Sequence, residues 1–260
     1  MKRAAVILAA LFAAPASADE ANIRDVPPAC IGTVQDAFYE GETTRYAHGV
    51  LGDAIEYEQL TVVVVNDRQD TSHPCAWWTN QMSVELPRSL VFEDIAPRLS
   101  DLDGDGTAEI ITIESSLTHG ARLAVWGRTE DGFARVATTP HIGQRNRWLA
   151  PIGAADLDGD GYVEIAYVDR PHLAKRLRVW RFVDGDLVHV ADLDGLSNHR
   201  IGEDFISGGI RDCGAGPEMI TADATWRRIM MTRFENGGLR SRDIGPFDGP
   251  HSFAQALECE

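Results

Sequence analysis

Asp101-Leu102-Asp103-Gly104-Asp105-Gly106-Thr107-Ala108-Glu109-Ile110 returns as Asp156-Leu157-Asp158-Gly159-Asp160-Gly161-Tyr162-Val163-Glu164-Ile165, with every acid at the same spacing. Aspartates alternating along a tight loop turn every second carboxylate to one side, which is how a short peptide supplies the roughly six to eight oxygens that calcium takes. Gly106 and Gly161 stand where such a loop bends sharply, and the carbonyls of Thr107 and Tyr162 fall where a backbone ligand is expected. Glu109 and Glu164 would close the shell. An EF-hand carries its closing Glu at loop position 12 (roughly one helical turn further on) and continues as a helix. Here the acid leads at once into Ile110-Ile111-Thr112-Ile113 or Ile165-Ala166-Tyr167-Val168, which are strand residues, so helix-loop-helix is excluded. Asp-Gly pairs also mark plain turns. Two copies with one acid spacing, each feeding a β-branched run, favour metal. The reading expects two calcium ions per chain, one on Asp101, Asp103, Asp105, Thr107 and Glu109, the other on Asp156, Asp158, Asp160, Tyr162 and Glu164.

Laid over one another, the loops expose a longer repeat. Arg122-Leu123-Ala124-Val125-Trp126 follows the first and Arg176-Leu177-Arg178-Val179-Trp180-Arg181-Phe182 the second. Asp131-Gly132 and Asp184-Gly185 then read as hairpin turns into a last strand. A degenerate copy starts at Asp212-Cys213-Gly214-Ala215-Gly216-Pro217-Glu218, with a shorter loop that lacks the inner acids. It runs on into a strand from Arg228 to Phe234 and a turn at Asn236-Gly237. A weaker copy precedes them, where Arg45 to Asp53 leads into Leu60-Thr61-Val62-Val63-Val64-Val65. A single meander of four strands leaves two bare faces and two edges, and stacking meanders around an axis buries the faces. The expected fold is all-β: a small β-propeller of about four four-stranded blades, two with calcium loops, and Trp126 and Trp180 filling the spaces between blades.

The Asp-x-Asp-x-Asp-Gly-x-x-Glu loop followed by a short apolar strand resembles the FG-GAP and VCBS repeat proteins, the calcium-loop propellers that include the integrin α-subunit head. The likeness covers roughly residues 92 to 190 and implies a propeller with structural calcium held by the side chains of the two acid loops named above. Family propellers often have more blades than this chain can supply.

The amino terminus reads as a secretory leader over residues 1–18: Met1-Lys2-Arg3, an apolar run from Ala4 to Ala14, then Pro15-Ala16-Ser17-Ala18. That leaves residues 19–260 as one propeller domain of a periplasmic or secreted protein, with no segment apolar enough to span a bilayer. Without Lys2 and Arg3, 22 basic residues face 40 acidic ones, a net charge of −18. Nucleic acid and anionic lipid both need a basic face, so neither is expected as a partner. Cys30, Cys75, Cys213 and Cys259 form an even set in an exported chain and imply two disulfides. Proximity pairs Cys30 with Cys75 and Cys213 with Cys259, other pairings staying open; in the degenerate repeat the second bridge would anchor the loop that has lost its metal. No CxxC or His-x-His spacing supports zinc instead.

A second recurring pattern joins the blades: Gly41 to Tyr46, Gly143 to Trp148 and Gly195 to Arg200. It offers Arg45, Tyr46, Arg147, Trp148, His199 and Arg200 to the propeller centre, where arginine beside rings suits an acidic or sugar ligand; the same arginines could instead tie blade to blade. Asp192-Leu193-Asp194-Gly195 lacks a third acid and a closing Glu and is not counted as a loop. The histidines are scattered, no Gly-x-Ser-x-Gly elbow occurs and no acid pair stands out, so no catalytic residue is assigned. The expected function is that of an exported, calcium-binding, non-enzymatic binding or scaffold module with a protein or carbohydrate ligand. The alternative is an exported polysaccharide- or phosphoester-cleaving enzyme with its site on the top face.

Overall fold

The computed structural model describes residues 22–24, 32–65, 81–130 and 132–259. The expected leader and the pair Cys30 and Cys75 lie outside them. Runs of alternating or wholly apolar character become strands throughout, and the described chain is all-β but for one short helix. Strands β1 (Asn22–Arg24), β2 (Thr33–Thr43), β3 (Glu56–Val65), β4 (Gln81–Glu85) and β5 (Leu90–Phe92) precede the first acid loop. The first repeat contributes β6 (Arg98–Ser100), β7 (Glu109–Ser116), β8 (Gly120–Thr129) and β9 (Gly132–Thr138). The second contributes β10 (Leu149–Ala155), β11 (Glu164–Asp169), β12 (Arg176–Val183) and β13 (Asp186–Asp194). After β14 (Leu196–Ser197), the degenerate repeat forms β15 (Gly209–Asp212), β16 (Pro217–Asp223), β17 (Arg228–Glu235) and β18 (Gly238–Pro246), and helix α1 (His251–Leu257) ends the chain.

All three repeats are antiparallel meanders with the acid loop, or its remnant, between the first and second strands. The last hairpins of the second and third repeats use the turns read from sequence, whereas in the first Gly132 is already in β9, paired with Thr129, and not in the turn. Asp184-Gly185 and Asn236-Gly237 both carry positive φ at the two central positions, which matches the right-handed twist of the flanking strands. A bulge recurs on the fourth strand of every repeat, where Val136, Val190 and Ile244 are the extra residues opposite Val125/Trp126, Val179/Trp180 and Ile229/Met230.

The middle sheet, β10 to β13, is buried on both faces because it is stacked between the other two, while the nine-stranded sheet encloses a core of its own. Ile110 joins Leu60, Val62, Val84 and Trp126 in one core, while Ile111 and Ile113 share the next with Leu149, Ile165 and Tyr167. The period-2 alternation of a strand sends successive side chains to opposite layers. In the same way Ala166 and Val168 turn away from Ile165 and meet Met219 and Phe234 of the following sheet. Trp180 is buried between two sheets as expected, whereas Trp126 is buried in the core that the nine-stranded sheet encloses by itself; their indole N–H groups are donated to Tyr167 Oη at 3.0 Å and Thr112 Oγ1 at 3.1 Å. The array is propeller-like.

Two features differ from four separate blades closed in a ring. The N-terminal strands form no sheet of their own: β5 pairs with β3 at Tyr57/Phe92 and with β7, fusing β1 to β9 into one nine-stranded sheet. At the other end, α1 covers the outer face of the last sheet, where Phe253 and Ala256 pack on Ile220, Ala222, Ile229 and Met231. The expected Cys213–Cys259 disulfide ties that helix to the loop between β15 and β16. An amphipathic helix supplies the apolar cover that a further blade would have provided. Among the described residues no helix is long and apolar enough to cross a membrane.

Candidate functional site

The two acid loops share one backbone. Gly104, Gly106, Gly159 and Gly161 all have positive φ, which lets the chain turn back within a few residues. Asp101 accepts from the N–H groups of Gly104 at 2.8 Å and Gly106 at 3.0 Å, and Asp156 accepts from Gly159 at 2.8 Å and Gly161 at 3.0 Å. Glu109 and Glu164, the first residues of their strands, are both buried, and each accepts from the N–H seven residues back, Leu102 at 2.9 Å and Leu157 at 2.8 Å. Carboxylate oxygens of Asp101, Asp103 and Glu109 lie within 4.8 Å of one another, as do those of Asp156, Asp158 and Glu164. Asp105 and Asp160 stand beside these triads and accept from the N–H of Thr107 at 2.7 Å and Tyr162 at 3.0 Å.

Such crowding is unfavourable without a cation. Burial pushes the Glu109 carboxyl up to about 7; the charges of Asp103, Asp105 and Asp101 add to the rise and the Leu102 N–H opposes it. Among the described residues no ion pair joins a basic side chain to the acids of the first loop. A hard, oxygen-seeking ion fits this donor set. Two acidic clusters able to hold metal are therefore present.

The second loop differs. Arg181 on β12 reaches Glu164 at 2.5 Å, Asp158 at 2.7 Å and Asp160 at 2.5 Å. The degenerate loop keeps the turn, with Gly214 and Gly216 at positive φ and Asp212 accepting from both N–H groups, but its closing acid Glu218 is held by Arg211 and Arg233. Asp192 and Asp194 lie on β13 beside Arg176 and Arg178 and form no loop.

A second site sits where the connections between sheets converge. Tyr46, Trp148 and His199, offered by the sequence as ligand contacts, are buried there. Asn146 N–H donates to the Tyr46 hydroxyl at 2.7 Å, and Arg145 donates to the Tyr46 carbonyl at 2.6 Å. A cavity of about 270 Å³ opens beside them, lined by His48, Arg147, Trp148, Arg170, His172 and Ile201 among others. Arg45 instead pairs with Glu58, and Arg200 stacks over Trp226 and Phe247. The candidates thus divide into cavity groups and ties between segments.

The cavity also gathers His48 and His172, which sequence reasoning passed over, with the sequence candidate His199 against His172. His48 Nδ1 lies 2.5 Å from buried Glu93 Oε1, and its backbone N–H is held by Glu56 at 2.9 Å. His199 donates Nε2–H to the Glu203 carbonyl at 2.9 Å, so its Nδ1 accepts, and His172 must donate Nε2–H to it at 2.9 Å. Burial, then the neighbouring His199 and His48 rings, hold the His172 imidazole down to about 4, so it is neutral at physiological pH. Residues 48, 172 and 199 have no common spacing, and no signal in the sequence joins them.

Residues 101–167 match the family described as the FG-GAP-like repeat. Among solved structures, it is similar to the crystal structure of the exotype rhamnogalacturonan lyase YesX, with 16% sequence identity and a TM-score of 0.39, covering 82% of this chain and 48% of that one. The chain therefore spans about half the length of that lyase, and no residue role is carried over from it. No curated protein matches the chain at a significant level.

Proposed function

We propose that this protein is an exported, calcium-stabilised propeller-like module that binds a protein or carbohydrate ligand without transforming it. The observation that carries the calcium reading is the convergence of Asp101, Asp103 and Glu109 oxygens on a loop of fixed backbone with no basic partner among the described residues. Calcium there would pin the β6–β7 loop and so the edge of its sheet, and the repeat at Asp156 carries a second loop of the same acids, with Arg181 against it. The bound partner belongs in the central cavity, where Arg147 offers a planar fork of donors and Trp148 an aromatic wall, a pairing suited to acidic or sugar groups. Calorimetric titration of calcium into chelator-treated mature protein tests the reading. Saturable binding with a rise in melting temperature is expected, and no binding at millimolar calcium overturns it.

A second reading, an exported polysaccharide- or phosphoester-cleaving enzyme, is favoured by one feature. A histidine oriented by a buried carboxylate, as His48 is by Glu93, is a competent general acid or base at a cavity wall. Turnover of acidic polysaccharides that is lost in His48→Ala would select this reading over the first.

A further inference from the structure

Arg181 and Gly127 occupy the same place in their repeats. In β7 and β8 Ile110 pairs with Trp126, which sets Glu109 opposite Gly127; in β11 and β12 Glu164 pairs directly with Arg181. The closing acid of one loop thus faces a residue with no side chain, and that of the other faces a guanidinium. A Cβ built on Gly127 would stand 3.2 Å from Glu109 Cγ, so the glycine leaves room for the acid.

We infer that the two loops are not equivalent: the first is the calcium site, while in the second Arg181 serves as a built-in cation that excludes or strongly weakens the ion. This rests on the calcium reading proposed above. Arg181 reaches three separate loop carboxylates, donating Nε–H to Glu164 and Nη2–H to Asp158 and forming an ion pair through Nη1 with Asp160. These are the oxygens the ion would need. Arginine cannot deprotonate to make way, so a metal must displace a fixed positive charge and break two charge-assisted hydrogen bonds and an ion pair. The side chain is also held from outside, its guanidinium carbon 5.8 Å from the Tyr162 ring centre and 5.9 Å from that of Phe234 in the next sheet.

The degenerate repeat continues the trend. Glu218 faces Arg233 in the same register and adds Arg211, the inner acids are gone, and a disulfide holds the loop. Along the chain the closing acid meets no cation, then one, then two. The second and third sheets then keep their loop geometry without metal, and calcium acts on the first.

Calcium titration by calorimetry and native mass spectrometry on the mature chain tests this, using wild type, Asp103→Ala, Asp158→Ala, Arg181→Met and Arg181→Gly. Wild type is expected to bind one ion tightly. Asp103→Ala should lose it and Asp158→Ala keep it. Arg181→Met, which retains the apolar stem, and Arg181→Gly, which copies position 127, should each gain a second ion, with at least a ~10–100-fold rise in affinity at the second loop. Two ions of equal affinity in wild type, unchanged in both Arg181 variants, would overturn the inference and leave the calcium reading standing. No ion in any of the five proteins would remove both.

Discussion

His48 and Glu93 lie 2.5 Å apart, joining a half-buried imidazole at the cavity wall to a carboxylate only 2% exposed. Glu93 also accepts from the Ser115 hydroxyl, and its carbonyl accepts the Trp148 indole N–H at 2.7 Å, so one residue organises a histidine, a strand and the cavity's aromatic wall. Truncation by Glu93→Ala leaves the half-buried His48 and the fully buried Ser115 hydroxyl without their acceptor. A loss of about 2–4 kcal/mol in unfolding free energy is expected, with a smaller loss in Glu93→Gln, which keeps an acceptor. Urea unfolding curves measure both, and a Glu93→Ala loss below about 1 kcal/mol contradicts the role given to the residue.

Calcium removal acts through mass action, because only the folded loop assembles the ligand set. At calcium about 100-fold above the dissociation constant the native state gains roughly 2.7 kcal/mol. Chelator should lower the melting temperature, and added calcium should restore it. Magnesium, which demands a tighter octahedral shell, should restore it less. A calorimetric scan that ignores both chelator and calcium counts against the ion.

The Cys213–Cys259 bridge closes a loop with a sequence separation of 46 and fastens α1 over the last sheet. In the chain-entropy account such a closure contributes about 3–4 kcal/mol. Cys259→Ser should therefore destabilise the protein by about that amount, with early hydrogen exchange confined to β15 to β18 and α1. Exchange that rises equally in β7 and β8 would show that the bridge supports the whole array and not its end.

His172 gives a pH signature. Its imidazole has an unfolded value of 6.5 and is held down to about 4 in the fold, chiefly by burial. Between those values the unfolded chain binds the proton and the folded chain does not, so the stability this residue allows is present above pH 6.5 and is lost as pH falls toward 4. Imidazole NMR should find His172 neutral at pH about 5.5, well below the usual histidine midpoint. A midpoint near 6.5 would mean that the ring is solvated and the cavity open.

Gly120 ends the turn from β7 to β8 at φ +75°, and a Cβ there would lie 2.4 Å from the Gln144 carbonyl oxygen. Gly120→Ala should cost about 2–4 kcal/mol, since both the left-handed backbone and the contact are strained. Chemical denaturation decides it, and a neutral substitution would mean that the 143–147 connection yields freely.

What the sequence by itself determined is local and repeated. The acid loops, their turning glycines, the Asp-Gly and Asn-Gly hairpins and the apolar strands after them depend on neighbours within a few residues, so a single chain displays them to a reader. The Gly127 and Arg181 contrast was also within reach, since aligning Trp126 with Trp180 brings the two into one column; its meaning needed the strand pairing that sets each against a closing Glu. Tertiary structure alone decided the rest. β5 fuses the N-terminal strands to the first repeat through a single pairing of Tyr57 with Phe92, α1 covers the face left by the last sheet, and His48, Glu93, Trp148, His172 and His199 meet at the centre. Contacts between such distant residues follow from how buried faces stack to exclude water, a property of the assembled sheets that no local pattern of residues records.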